Sequence, residues 1–170
     1  MLAIIAPGQG SQTPGMLNTW IENPELKALI ESWSQAIDLD LLHLGTTADA
    51  DEIKDTANAQ PLIVATSLLG AHALGLTNFA VTSGHSVGEL AAAALSGAIS
   101  NSDALSLVRS RGVEMAKAAA ASPAGMSAVL GGDRDLVLAA IAQAGLIAAN
   151  DNGGGQIVAA GDLDALASLA

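Results

Sequence analysis

The chain alternates short unbroken apolar runs with longer stretches in which apolar residues recur every three or four positions. That mixture predicts buried strands interleaved with helices. Leu2-Ala3-Ile4-Ile5-Ala6 is the first apolar run, and Pro7-Gly8 ends it as a strand. Asn23-Pro24-Glu25 then starts a helix, with Asn as cap, Pro at the first helical position and an acid after it. Over residues 24–36 it carries Leu26, Leu29, Ile30 and Trp33 on one face. Residues 49–55 predict a short acidic helix, and Gln60-Pro61 opens an apolar helix to about residue 75. Residues 78–82 suit a second buried strand. Helix formers over residues 89–95 stop at Ser96-Gly97. Asn101-Ser102-Asp103 caps a helix over residues 103–121, with Leu105, Val108 and Met115 on its core side.

Ser122-Pro123-Ala124-Gly125 reads as a boundary between residues 1–124 and residues 125–170. Beyond it the elements shorten: a strand at 126–130, a helix at 133–144, strands at 146–149 and 156–160, and a helix at 162–170. The order β-α-β-β-α is a ferredoxin-like unit without its last strand. No cap or turn signal closes the final helix, so the chain is expected to be part of a longer sequence. The fold class is α/β.

Composition narrows the chemistry. In 170 residues, 51% are hydrophobic, enough for a sizeable core, yet the only aromatics are Trp20, Trp33 and Phe79. There is no cysteine, which excludes disulfides and thiolate metal sites and suits a cytoplasmic α/β protein. A formal net charge of −11 argues against nucleic acid, whose phosphates need Lys and Arg. No apolar run approaches the roughly 20 residues of a membrane span, and no basic leader segment precedes the first strand.

Gly84-His85-Ser86-Val87-Gly88-Glu89 contains a G-x-S-x-G pattern between a predicted strand and a predicted helix. That context is what makes it a nucleophile elbow: small residues permit a tight turn, and Ser86 stands exposed at a helix start. The turn also aims the Val87 N–H at an oxyanion formed on a substrate carbonyl. A second oxyanion donor is the loop Gly8-Gln9-Gly10, where Gln9 sits between two glycines after a strand end. On spacing alone this loop reads equally as an ordinary strand-to-helix connection. Arg111, followed by the small Gly112, could grip a carboxylate bidentately, although it reads more simply as a solvated helix arginine.

Taken in order, these motifs resemble the malonyl-CoA:acyl-carrier-protein transacylases of the stand-alone bacterial type. The residues that carry the resemblance are Ala6-Pro7-Gly8-Gln9-Gly10-Ser11-Gln12, Gln60-Pro61, Gly84-His85-Ser86-Val87-Gly88-Glu89, and Arg111-Gly112 with Met115. Gly125-Met126-Ser127-Ala128 and Asn150-Asp151-Asn152, with Gly155-Gln156-Ile157-Val158, complete the set. The Ser86-to-Arg111 spacing also agrees with the family.

The resemblance implies an α/β-hydrolase-like core with a parallel sheet, bearing an inserted ferredoxin-like subdomain. It implies that Ser86 takes the malonyl group from malonyl-CoA as an ester and passes it to acyl carrier protein in fatty-acid biosynthesis. Gln9 and Val87 would supply the oxyanion hole, Arg111 would hold the malonyl carboxylate, and Asn150 and Asn152 match positions near the site. No metal and no cofactor beyond the CoA thioester is implied. The family's catalytic histidine belongs to a motif later than residue 170, and His43, His72 and His85 are poor substitutes: His43 is expected in a loop, His72 on the apolar helix, and His85 with its side chain turned away from the nucleophile. The chain taken alone is therefore expected to be inactive. Two other readings fit the same residues. One is a serine acyl hydrolase, esterase or patatin-like, for which Asp151-Asn152-Gly153-Gly154 resembles a dyad motif. The other is a non-catalytic partner-binding module that kept the elbow.

Overall fold

The computed structural model describes residues 1–121 and 124–169. Ser122 and Pro123, at the expected boundary, and Ala170, in the expected last helix, lie outside the described residues. The chain divides into two compact units, Met1–Ala116 and Lys117–Ala170.

In the first unit, β1 (Ala3–Ala6) pairs in parallel with β2 (Val81–Gly84), with Ala3 opposite Val81 and Ala6 opposite Gly84. Parallel strands need a long crossover, and here it carries three helices. These are α1 (Pro24–Ile37), α2 (Leu41–Thr46) and α3 (Thr56–Ala73). α4 (Gly88–Leu95) and α5 (Asn101–Ala120) follow β2. α1 starts as its sequence dictates: Asn23 Oδ1 accepts from Glu25 N–H at 2.9 Å, ahead of Pro24. Leu26, Ile30 and Trp33 are buried, Leu29 only partly.

α3 is the central helix. Leu62, Ile63, Val64, Leu68 and Leu69 are at most 1% exposed, so it is enclosed on nearly every side. Each such side chain stabilises the fold by about 1.5–3 kcal/mol relative to exposure. Leu105 and Val108 of α5 join this core.

The structure departs from the sequence expectations at several points. α3 begins at Thr56 rather than at Gln60-Pro61: Asp55 accepts from Ala57 N–H at 2.7 Å as the cap, and Pro61 lies inside the helix. The second strand is displaced to Val81–Gly84, because pairing with β1 sets its register and carries it directly into the following turn. His43 belongs not to a loop but to α2, capped by Asp40, and its ring bonds Thr47 at 2.9 Å and Glu52 at 3.0 Å. Within 49–55 only Glu52–Lys54 forms a 3-10 turn. Met115 is 42% exposed and so is not a core residue.

In the second unit β3 (Ala124–Leu130), α6 (Arg134–Gln143), β4 (Ile147–Asp151), β5 (Gln156–Asp162) and α7 (Leu163–Leu169) follow the predicted order. The antiparallel sheet runs β3-β5-β4, with a register shift between Ala148 and Asn150. Ile141, Leu146, Ile157, Ala159 and Leu166 form its own core. Among the described residues no helix is long and apolar enough to cross a membrane.

Candidate functional site

The site is built where β2 stops and α4 starts. His85 N–H donates to Ala6 O at 3.1 Å, and Glu89 N–H donates to Ser86 O at 3.1 Å, so the chain reverses within three residues. Ser86 sits in the left-handed region at φ 53°. For a residue other than glycine this costs on the order of 1–2 kcal/mol. The flanking glycines make the turn possible. A Cβ at Gly84 would collide with the backbone of Gly88 and Glu89, and one at Gly88 would collide with the Ala6 and Pro7 carbonyls. Ser86 is exposed, while Val87 is only 1% exposed and anchors the turn in the core. The His85 ring lies against Gly8 of the first loop.

Arg111 reaches this turn from α5. Its Nη2 donates to Ser86 Oγ at 3.3 Å and its Nη1 to Gln60 Oε1 at 2.6 Å. A guanidinium only donates, so the Gln60 oxygen must face it and the Gln60 amide nitrogen must face away. That nitrogen donates to Gln9 Oε1 at 3.3 Å and meets Met115 Sδ at 3.2 Å. Gln9 Nε2 in turn donates to Thr56 Oγ1 at 3.1 Å. One polar chain thus runs Ser86–Arg111–Gln60–Gln9–Thr56 with every donor and acceptor sense fixed. The first loop is held at a second point, where Gln12 Nε2 donates to Ile53 O at 3.3 Å.

Three of the expected site residues, Ser86, Gln9 and Arg111, are therefore joined in one network through Gln60, and Val87, next to Ser86, is buried. Arg111 is not a solvated helix arginine: it is half-buried and shared between two partners. Gly112 lets α5 meet α3, since a Cβ there would press on Thr56 O at 3.0 Å and Ala57 Cα at 3.2 Å. Asn150 and Asn152 belong to the second unit. Asn150 lies on β4, and Asn152 Nδ2 donates to Gln156 Oε1 at 2.7 Å. Between them, Asp151 accepts from Arg134 Nε at 2.7 Å and from Gly153 N–H at 3.3 Å. The Arg134 hydrogen bond, with that from Gly153, holds the Asp151 carboxyl below its ordinary value.

Gln60 belongs to the Gln60-Pro61 motif of the resemblance, but the sequence reading gives it no place among the site residues. It is 1% exposed in an otherwise apolar helix. The available signal was a polar residue at a core position, which needs partners to be retained. Among the described residues no group of three or more His, Cys, Asp or Glu side chains could hold a metal ion.

The acyl transferase domain model matches residues 4–170. The malonyl CoA-acyl carrier protein transacylase of Mycobacterium tuberculosis is 54% identical over the whole chain. The chain spans only 58% of that relative. The crystal structure of MCAT from Mycobacterium tuberculosis superposes with a TM-score of 0.92 at 53% identity, covering 98% of this chain and 57% of that one. A malonyl-transacylase solved in complex with its type II polyketide acyl-carrier protein gives a TM-score of 0.83 at 29% identity, covering 98% of this chain and 57% of the other. With the Ser86–Arg111 geometry set beside these matches, the chain belongs to the acyl transferase domain family.

Proposed function

We propose that Ser86 is the nucleophile of a malonyl transfer from CoA to acyl carrier protein, in fatty-acid biosynthesis. The observation that carries this reading is the Arg111 guanidinium, 3.3 Å from Ser86 Oγ and steadied from behind by Gln60. A malonyl ester on Ser86 places its free carboxylate a few bonds from that oxygen, within reach of a guanidinium already facing it. A hydrolase of uncharged acyl esters gives no use to such a group. The relatives named as malonyl transacylases, one of them solved with its carrier protein, support the choice of substrate and partner.

In this reading the strand-turn-helix at Ser86 is a nucleophile elbow on an α/β-hydrolase-like core, and the second unit is a ferredoxin-like subdomain. Ser86 Oγ attacks the thioester carbonyl of malonyl-CoA while a base takes its proton. The resemblance assigns that base to a histidine of a later motif. The N–H groups of Gln9 and Val87 stabilise the tetrahedral oxyanion, and α4, starting at Gly88, adds the positive end of its dipole. The C–S bond then breaks, and the CoA sulfur leaves with the proton the base had taken. The carrier protein's phosphopantetheine thiol attacks the Ser86 ester in the reverse sense and leaves as the malonyl thioester. No cofactor or metal enters these steps. Asn150 and Asn152 are assigned near the acyl site through the family pattern.

The intact protein, mixed with malonyl-CoA and without carrier protein, is expected to gain one malonyl mass on the peptide containing Ser86. Ser86→Ala should not gain it. Acylation of another residue, or of none, refutes the reading.

A further inference from the structure

Pro61 leaves a gap in α3. A helix carbonyl accepts from the N–H four residues on, and proline has none. The carbonyl left open is that of Ala57, and Pro61 lies too far inside the helix for its missing N–H to be one of the unpaired first-turn groups. Arg109 fills the gap: its Nη1 donates to Ala57 O at 3.2 Å. Arg109 stands one turn before Gly112 on α5, and Gly112 packs on Thr56 and Ala57. The stretch of α3 so held carries Gln60, the residue that steadies Arg111.

We propose that Arg109 is a positioning residue. By taking the place of the N–H that Pro61 lacks, it fixes the start of α3, and through Gln60 the orientation of the Arg111 guanidinium at Ser86. Two arginines of α5 then serve one end: Arg111 faces the acyl group, and Arg109 holds the helix that holds Arg111. The catalytic consequence rests on the malonyl-transfer reading above, whereas the consequence for α3 does not.

The hypothesis makes Arg109 matter only while residue 61 is proline. Arg109→Met keeps the aliphatic stem and removes the donor. Pro61→Ala restores the backbone N–H, so combining the two should make Arg109 dispensable. Two readouts are taken on wild type, R109M, P61A and R109M/P61A in the intact protein. The first is amide hydrogen exchange over residues 59–65. R109M should speed it roughly 10-fold and the double variant should return it near P61A, a hydrogen bond to a charged group being of that order. The second is kcat/KM for malonyl-CoA and for acetyl-CoA. R109M should depress the malonyl value roughly 10-fold and the acetyl value less than about 3-fold, with the double variant recovering malonyl transfer. If R109M costs as much in the P61A background as in wild type, the proposal is overturned. Equal losses on the two acyl groups would also overturn it, since they would show no effect on Arg111. Absence of malonyl transfer in wild type, with exchange behaving as expected, would refute the malonyl reading and leave the role of Arg109 in α3 standing.

Discussion

Removing the Arg111 guanidinium should separate malonyl from acetyl transfer by about two orders of magnitude. Two unit charges about 4 Å apart interact by about 4 kcal/mol at an effective dielectric of about 20. Arg111 is only half-buried, so solvent takes part of that. An independent route starts from hydrogen bonds. Each bond to a charged group is worth about 1.5–3 kcal/mol, and a carboxylate can take two from one guanidinium. Against this stands the Ser86 Oγ bond to Nη2 at 3.3 Å, which the arginine gives up when the acyl group arrives. That bond is long, so its loss costs no more than about 1 kcal/mol. The Gln60 bond at 2.6 Å survives, so the guanidinium is already oriented and little side-chain entropy is spent on binding. The two routes meet near 3 kcal/mol, or about 10²-fold in rate.

Arg111→Ala also strands the Gln60 oxygen in a site that is 1% exposed. That loss destabilises the fold by about 1–3 kcal/mol whatever the substrate. The readout must therefore be a ratio. The assay is kcat/KM for malonyl-CoA and acetyl-CoA on wild type, Arg111→Ala and Arg111→Lys in the intact protein. The malonyl value should fall by at least ~10²-fold in Arg111→Ala while the acetyl value falls far less or rises. Arg111→Lys should recover only part, because an ammonium lacks the planar fork that serves Gln60 and a carboxylate at once. A malonyl-to-acetyl ratio unchanged from wild type would refute the reasoning and return Arg111 to a purely structural role.

Gln60→Glu should place a carboxylate on Arg111 at the 2.6 Å contact, neutralise it internally and lower malonyl kcat/KM by roughly 10-fold or more, with acetyl transfer little changed. Unaltered malonyl kinetics would show that Gln60 does not govern the guanidinium. Gly88→Ala, whose Cβ would strike two carbonyls, should lower stability by about 1–3 kcal/mol in a denaturant melt, and a neutral result would contradict the close crossing of β1 and α4. For Asp151, a carbon-detected NMR titration should give a pKa below 3.8, and Arg134→Gln should bring it back toward that value. The sign follows from the lowered pKa: the pair stabilises above the unfolded-state value and loses its contribution as pH falls through the folded one. A titration at or above 3.8 in wild type would dismiss the pair.

The turn at Ser86 was legible because its constraints are local. Gly84 and Gly88 are the positions where a side chain cannot fit, and they stand beside Ser86 in sequence. The second unit was legible for a related reason, since its order of elements follows period and turn residues. Two of the misjudged elements, β2 and the start of α3, were decided at a distance. β2 lies three residues later than its apolar run because β1 fixes the register. Asp55 starts α3 a full turn before Gln60-Pro61, the dipeptide that looks like a helix opening; a cap outweighs a proline when the proline's lost bond is made good by another chain segment. That segment is Arg109, 52 positions from the Ala57 carbonyl it meets, and no local pattern announces it.

Net charge misleads at the same place for the same reason. A value of −11 describes the whole surface, but charges separated by more than about 8 Å in physiological salt scarcely act on one another. Only six Lys and Arg exist, and two of them, Arg109 and Arg111, reach residues 57 and 60 of one helix. The positive end of α4 lies beside the second of these at Ser86. Two cations at a helix start are unfavourable unless each is met by an acceptor. The Ala57 carbonyl meets Arg109 directly. Arg111 Nη1 is met by the neutral Gln60 oxygen, and its Nη2 by the neutral Ser86 hydroxyl at 3.3 Å. Both of these acceptors of Arg111 are neutral, so on the malonyl-transfer reading its guanidinium keeps the charge that an acyl group carrying its own anion would meet.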